Sequence, residues 1–194
     1  MNILDTKNSS NTLNLRDHFL VAMPSLNDSS FSHSVTYICD HNAQGAMGLV
    51  INHPMNLQMK DVFKQLELDT NGLEHNFDVL TGGPVNPQQG LIIHRDEGTW
   101  QSTLHVTQEI CLTASKDIMQ ALAQGKGPAS AQLALGYAGW GPGQLEEEIL
   151  ENSWLTIPAD SRILFDIPVT ERWQATAKHI GIDLSLISPM SGRA

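Results

Sequence analysis

Residues 32–52, SHSVTYICDHNAQGAMGLVIN, contain two apolar runs separated by a short polar segment. In the first run Val35, Tyr37 and Cys39 lie at every second position, and its β-branched and aromatic content favours a strand. The segment HNAQG that follows is typical of a turn, and AMGLVIN returns as a second strand. The stretch therefore predicts a β-hairpin.

Short apolar runs and amphipathic stripes alternate along the rest of the chain. Met59, Val62, Phe63 and Leu66 recur at helical spacing, and Ser115 is a suitable N-cap for a helix that stops at Gly125. Strands in hairpin-like groups with helices between them predict an α+β fold, a single compact domain with a largely antiparallel or mixed sheet and several flanking helices. The other predicted strands cover residues 18–23, 79–81, 90–94, 103–114, 131–137, 154–157 and 163–165. One further helix is predicted to begin at Pro142, and the last is predicted to have Thr170 as its N-cap.

The charge balance bears on the classes of partner that the chain can bind. Its 194 residues carry 21 Asp and Glu against 11 Lys and Arg, a formal net charge of −10. The cations are spread singly, and the closest pair, Lys60 and Lys64, is four residues apart. Nucleic-acid binding needs a concentrated cationic surface, so the sequence argues against direct contact with DNA or RNA.

The ends of the sequence and its two cysteines bear on location. Residues 1–14 predict a flexible polar tail without the apolar core of a secretory signal, residues 15–188 a single domain, and residues 189–194 a second tail. No apolar run is long enough to span a membrane. Cys39 and Cys111 lie singly in apolar stretches, which predicts two buried free thiols in a reducing cytoplasm; a single disulfide is the alternative.

The glycine-rich segment Gly136–Glu151, GYAGWGPGQLEEEILE, is the strongest candidate for a binding loop. Its four glycines lie between a predicted strand and a predicted helix, where they allow tight turns and leave amides open to a ligand. The spacing matches neither the dinucleotide fingerprint nor a P-loop, and residues 146–148 are three glutamates that would repel a polyphosphate. A structural turn is therefore favoured over an anion site.

Glu146 is the unusual acidic residue of this segment. At about 100° per residue it falls between Ile149 and Leu150, within the apolar sector that Leu145 begins. A carboxylate in a buried stripe is costly without a partner. The prediction is that Glu146 is at least half buried and hydrogen-bonded, in a structural role more than a catalytic one.

No catalytic or metal motif is visible in the sequence. None of the eight histidines is spaced as H-x-H, H-x-x-x-H or H-E-x-x-H, so we expect no metal site, although folding could still join His33, His41 and His53. There is no G-x-S-x-G elbow, and Cys39 lies in mid-strand, where a thiol is typically inert. No cofactor is expected. Trp140, Trp154 and Trp173 are predicted to pack in the core.

Several blocks of the chain resemble the AlgH/YqgE family of small bacterial proteins. They are FLVAMPSLNDSSFSHSVTYICDHNAQGAMGLVIN (19–52), LTGGPV (80–85) with GLIIH (90–94), GYAGWGPGQLEEEI (136–149) with NSWLTIPAD (152–160), and LFDIP with RW (164–173). The resemblance implies a compact, cytosolic α+β domain without an agreed catalytic motif. The name AlgH is connected with a proposed role in regulating alginate production. At His33 the resemblance leads us to expect a basic residue such as Arg, so an anion contact there would depend on pH.

The leading hypothesis is a non-enzymatic binding or regulatory protein that acts through an unknown protein or small-molecule partner; oligomeric state stays open. The alternative is a hydrolase-like enzyme with a site near residues 136–148, and a transcription factor ranks third. A pocket that joins Glu146 or Glu148 to His94 or Asn52 would favour the enzyme. The candidate site residues are Asn52, Gly82, Gly83, Pro84, His94, Gly136, Gly139, Trp140, Gly141, Gly143, Gln144, Glu146 and Glu148.

Overall fold

A computed structural model describes residues 13–26, 28–70 and 77–181. Its strands are β1 (His18–Ala22), β2 (Val35–Asn42), β3 (Gly45–Val50), β4 (Pro54–Gln58), β5 (Asp78–Thr81), β6 (Val85–Arg95), β7 (Thr103–His105), β8 (Ile110–Thr113), β9 (Ala131–Trp140) and β10 (Trp154–Pro158). Its helices are α1 (Met59–Gln65), α2 (Lys116–Ala123), α3 (Gln144–Leu150), α4 (Ser161–Phe165) and α5 (Arg172–His179), and a 3₁₀ turn spans Val169–Glu171.

The strands form one curled, mixed sheet in the order β10-β1-β2-β3-β9-β6-β8-β7. The predicted hairpin is β2 and β3, paired antiparallel with Tyr37 opposite Leu49. The long strand β9 joins the two halves of the sheet because it pairs with β3 and β6 and, in parallel, with β5. Strand β4 pairs with β5. This arrangement confirms the predicted α+β class and the largely antiparallel sheet.

Apolar residues of the sheet pack in three clusters, and both faces of the sheet are covered. The largest contains Val35, Tyr37 and Cys39 together with Leu164 and Ala177, which bring α4 and α5 against the sheet. The second lies under α3 through Leu145, and the third lies under α1 and α2. Tyr37 enters the first cluster and Ile38 the second, so the predicted alternation along β2 is confirmed, with both faces of the strand buried.

Several sequence predictions about elements are wrong. The extended run 103–114 is two strands, β7 and β8, separated by residues 106–109. Residues 163–165 are helical because Asp160 caps α4, accepting a hydrogen bond from the backbone N–H of Arg162. Gly136 and Gly139 lie inside β9, so the glycine-rich turn begins only after Trp140. Helix α3 begins at Gln144, two residues after Pro142. The last helix begins at Arg172 after a 3₁₀ turn, so its N-cap is Glu171 and not the predicted Thr170. Strand β4 was not predicted. The predicted tail residues 1–12 and 189–194 lie outside the described residues.

Asp160 makes the acid stability of α4 testable. Its hydrogen-bonded partner Arg162 holds the pKa of the Asp160 carboxyl below its usual range. A carboxyl pKa lower in the folded than in the unfolded state stabilises the fold at neutral pH, and the contribution is lost as pH falls below about 4. We expect Asp160→Asn to cost about 0.5–1 kcal/mol at pH 7, since asparagine still caps, and the difference to shrink in acid. Urea unfolding at pH 7 and pH 3 measures both.

Asp166→Asn is the matched control for this prediction. Asp166 lies directly after α4, is 57% exposed, and stands 4.0 Å from Arg95. An exposed pair at this distance contributes little, so the substitution is expected to leave stability nearly unchanged at both pH values. Equal effects of the two substitutions would contradict a special role for Asp160.

Candidate functional site

The glycine-rich segment packs against a block of aromatic side chains. Trp140 at the end of β9 and Trp154 at the start of β10 are 6% and 5% exposed, with ring centroids 6.0 Å apart. Phe31 contacts both rings, at 6.1 and 5.4 Å, and Leu145 of α3 completes the block. The predicted core packing of Trp140 and Trp154 is confirmed. The space beside the 140–144 turn is therefore occupied by the protein's own side chains.

Glu148 binds the two indoles from α3. Its Oε2 accepts hydrogen bonds from Nε1 of Trp140 at 2.9 Å and from Nε1 of Trp154 at 2.8 Å. Its Oε1 accepts a third from Nε2 of Gln144, whose own Oε1 accepts from the backbone N–H of Gly141. The carboxylate is thus fully engaged in holding α3 against β9 and β10.

Glu146 has the partner that the helical wheel required. Its side chain is 40% exposed, and its Oε1 lies 3.0 Å from Nε2 of the buried His41. Nδ1 of His41 accepts a hydrogen bond from the backbone N–H of Leu15. The proton of the ring is therefore on Nε2, which donates a hydrogen bond to Oε1 of Glu146. The prediction of a half-buried, hydrogen-bonded Glu146 is confirmed. The apolar sector is narrower than predicted, however, since Leu150 at the end of α3 is 82% exposed.

Gly82, Gly83 and Gly136 allow two backbone segments to touch. A Cβ on Gly82 would lie 2.3 Å from the carbonyl oxygen of Gly136, and one on Gly136 would lie 2.4 Å from that of Gly83. These glycines bring the β5–β6 connection directly against β9, which is a structural role. Pro84 is exposed in the same connection. Gly139, Gly141 and Gly143 lack such close contacts: a Cβ there would have no atom within 3.4 Å.

Asn52 and His94 are buried, and each is committed to local hydrogen bonds. Oδ1 of Asn52 accepts from the backbone N–H of Val35, and its Nδ2 donates to the carbonyl of His33. His94 places Nε2 2.8 Å from Oγ1 of Thr113 and Nδ1 2.6 Å from the carbonyl of Arg95. Burial lowers the pKa of the His94 imidazole. Neither residue is a hydrogen-bond partner of Glu146 or Glu148, so the arrangement that would favour an enzyme is not found in the described residues.

Both cysteines are unoxidised, and the three histidines singled out in the sequence lie apart from them. Cys39 and Cys111 are both free and buried, as predicted, and burial raises the pKa of the Cys39 thiol. His33 is exposed, and its ring lies 4.8 Å from that of Trp173. Within the described ranges, His33, His41 and His53 form no ligand cluster.

A cleft that the sequence did not predict lies between α4, the start of α5 and the start of β9. Its volume is about 440 Å³, and Arg172 lines it although that residue is only 3% exposed. The guanidinium donates from Nε to the carbonyl of Ile167 and from Nη1 to the carbonyl of Ile51 and Oε1 of Gln132. Burial lowers the pKa of Arg172 to about 10, so the group keeps its charge at neutral pH. No carboxylate in the described residues forms a salt bridge with it.

Comparison with known proteins decides the family. The AlgH-like family profile matches residues 19–185. The chain belongs to the AlgH-like family. A UPF0301 protein of Saccharophagus degradans is 58% identical over 182 residues, which cover 94% of this chain and 90% of that protein. Another, from Thioalkalivibrio sulfidiphilus, is 49% identical over 181 residues, 93% of this chain and 97% of that protein.

Solved AlgH-like structures share the fold. The solution structure of AlgH from Pseudomonas aeruginosa matches with a TM-score of 0.77 and 45% identity, over 97% of this chain and 100% of that one. A crystal structure from Corynebacterium diphtheriae matches with a TM-score of 0.69 at 20% identity, over 91% of this chain and 92% of the other, which is a likeness of fold. The resemblance of the chain to the AlgH/YqgE family is thereby confirmed.

The AlgH-like blocks 136–149 and 152–160 carry the two tryptophans of the aromatic block and Glu148. They comprise the end of β9, helix α3 and strand β10, which Glu148 joins. The block 80–85 holds the glycines that contact β9. These blocks of the AlgH-like chain therefore build its scaffold.

No helix in the described residues is long and apolar enough to cross a membrane.

Proposed function

We propose that this AlgH-like chain is a non-enzymatic binding protein whose ligand is a small organic carboxylate held in the Arg172 cleft. The observation that carries the proposal is a buried guanidinium that lines a cleft without a carboxylate partner among the described residues. A volume of about 440 Å³ lies within the usual range for small-molecule sites.

Burial of an unpaired charge makes Arg172 receptive to an anion. Taking a cation out of water costs several kcal/mol, and the three hydrogen bonds to carbonyl-type oxygens compensate only part of that cost. They also occupy Nε and Nη1, which leaves Nη2 without a hydrogen bond in the described residues. A carboxylate bound at Nη2 would supply the missing counter-charge.

The acidic residues around the cleft restrict the ligand. Asp78 and Asp166 line the same cleft and are both exposed. They would repel a polyphosphate, but they would attract an ammonium or hydroxyl group at the other end of a small carboxylate. The ligand class that fits is a small molecule with one carboxylate and one amino or hydroxyl group.

The non-enzymatic part of the proposal is supported by how the other candidate groups are used. Glu146, Glu148, Asn52 and His94 each hold the scaffold together through the hydrogen bonds described above. A regulatory effect would pass through the ligand or a protein partner, because a net charge of −10 disfavours direct DNA contact. Two free buried thiols support a cytoplasmic location.

The test is an NMR titration of the isotope-labelled full chain with acetate and with glycine, against sodium chloride at equal ionic strength. We expect saturable shifts of the amides at residues 129–132, 167 and 169–172 with both carboxylates and a larger response to glycine, whose ammonium can reach an aspartate. Absence of saturable shifts in this region would overturn the proposal and leave Arg172 with a structural role only.

Variants separate binding from folding. Arg172→Met is expected to abolish the response, whereas Arg162→Met, which removes a 73% exposed arginine of α4, is expected to retain it. Because Arg172→Met also breaks three hydrogen bonds, Thr170→Trp provides a second route: Thr170 is exposed and lines the cleft, so a bulky side chain there would obstruct it. A full response in Thr170→Trp would count against this cleft.

A further inference from the structure

Three side chains with metal-binding atoms converge at one end of the sheet, where β6, β7 and β8 lie side by side. His105 on β7 is the direct cross-strand partner of Cys111 on β8, and Asp96 follows immediately after β6. Sγ of Cys111 lies 3.2 Å from Nδ1 of His105 and 3.5 Å from Oδ1 of Asp96. The histidine nitrogen and the carboxylate oxygen are 4.0 Å apart.

These separations are close to those that one tetrahedral ion imposes. Zinc binds Cys sulfur at about 2.3 Å, His nitrogen at about 2.0–2.1 Å and a carboxylate oxygen at about 2.0–2.2 Å, so tetrahedral ligand atoms stand roughly 3.3–3.6 Å apart. The distances from sulfur are already near these values. The 4.0 Å between the His105 nitrogen and the Asp96 oxygen shortens to this range with a movement of less than about 1 Å. The His105 side chain is 63% exposed and has room for that movement.

We propose that Asp96, His105 and Cys111 form a zinc-binding site with three protein ligands. Thiolate, imidazole and carboxylate together select a borderline ion such as Zn²⁺ over Mg²⁺ or Ca²⁺, which prefer oxygen alone. On binding, the ion replaces the thiol proton, which goes to solvent, and the sulfur coordinates as the thiolate.

Two of the three proposed ligands also line a cavity, which has room for a fourth ligand. This cavity of about 450 Å³ is lined by Asp96 and His105, together with Trp100 and Thr103. His94 also lines it, but both of its ring nitrogens are engaged, by Thr113 and by the Arg95 carbonyl, so it is not the fourth ligand. A water molecule or a small anion would occupy that position, as in zinc sites with three protein ligands. This cavity shares no lining residue with the Arg172 cleft, so the inference stands apart from the proposed function.

The test is a titration of the chelator-treated full chain with Co²⁺, a spectroscopic probe for zinc sites. We expect one equivalent to bind with a thiolate-to-cobalt charge-transfer band and the visible bands of tetrahedral cobalt, and Zn²⁺ to displace it. Since loss of even an outer-shell partner weakens metal binding by roughly 10–100-fold, His105→Ala is expected to lower the affinity by at least about 100-fold. Absence of the charge-transfer band in the unmodified chain would overturn the proposal.

Matched variants identify the ligands. Cys111→Ala is expected to lose the band, and Cys39→Ala, which removes the other buried thiol, is expected to keep it. His105→Ala and Asp96→Asn change exposed residues, so they test the site even if Cys111→Ala fails to fold. His179→Ala removes an exposed histidine of α5 and is expected to bind cobalt normally. Unchanged affinity in His105→Ala, or a band that persists in Cys111→Ala, would show that the ion binds elsewhere.

Discussion

Gly83→Ala is expected to lower the free energy of unfolding by about 3 kcal/mol or more. A Cβ on Gly83 would lie 2.2 Å from the backbone carbon of Tyr137 in β9, far inside van der Waals contact. The neighbouring atoms are backbone atoms of a central strand and cannot move aside cheaply. The residue also has a φ of +150°, in a region essentially restricted to glycine. Overpacking costs about 1–3 kcal/mol and the backbone strain a similar amount, and the two costs add.

Urea unfolding measures this loss, with Gly139→Ala as the matched control. Gly139 lies in β9 itself, but the nearest atom to its Cβ would be a side-chain carbon at 3.5 Å, an ordinary contact. We expect the control to stay within about 0.5 kcal/mol of the unmodified chain. If Gly83→Ala unfolds at the same urea concentration as Gly139→Ala, the chain at Gly83 does not touch the backbone of β9.

The spacing of apolar residues in the sequence predicted those helices and strands in which buried residues recur at regular intervals. The stripe from Met59 to Leu66 is α1, the hairpin is β2–β3, and the position of Glu146 on its helix implied a partner, which is His41. The apolar run of residues 163–165 is too short to have a period of its own. Asp160, which caps it, was the better signal for a helix.

The Arg172 cleft and the three metal-binding side chains depend on contacts distant in sequence. Arg172 meets carbonyl groups at residues 51 and 167 and the side chain of residue 132, and no spacing rule connects these positions. Residues 103–114 were predicted as one extended run. A hairpin within that run would have placed His105 opposite Cys111, and only the register of β7 and β8 establishes the pair.

Among the glutamates of the glycine-rich segment, Glu148 is the one whose side-chain deletion is expected to cost most. Oε2 of Glu148 accepts hydrogen bonds from the indole N–H groups of Trp140 and Trp154. Both tryptophans are almost fully buried. An indole nitrogen can only donate, so its hydrogen bond is lost when the acceptor is removed. A buried donor left unsatisfied costs about 1–3 kcal/mol, and hydrogen bonds to charged groups lie at the upper end of the measured range.

Glu148→Ala is therefore expected to lower the free energy of unfolding by about 3 kcal/mol and to change the tryptophan fluorescence of the folded chain. Glu148→Gln keeps one carbonyl oxygen that both indoles can share, and its expected cost is about 1 kcal/mol. Glu147→Ala, at the adjacent exposed position of α3, is the control and is expected to change stability by less than about 0.5 kcal/mol. Equal stabilities of the Glu148→Ala and Glu147→Ala variants would mean that water replaces the carboxylate at both indoles, and that α3 is held to the sheet by Leu145 and the aromatic rings alone.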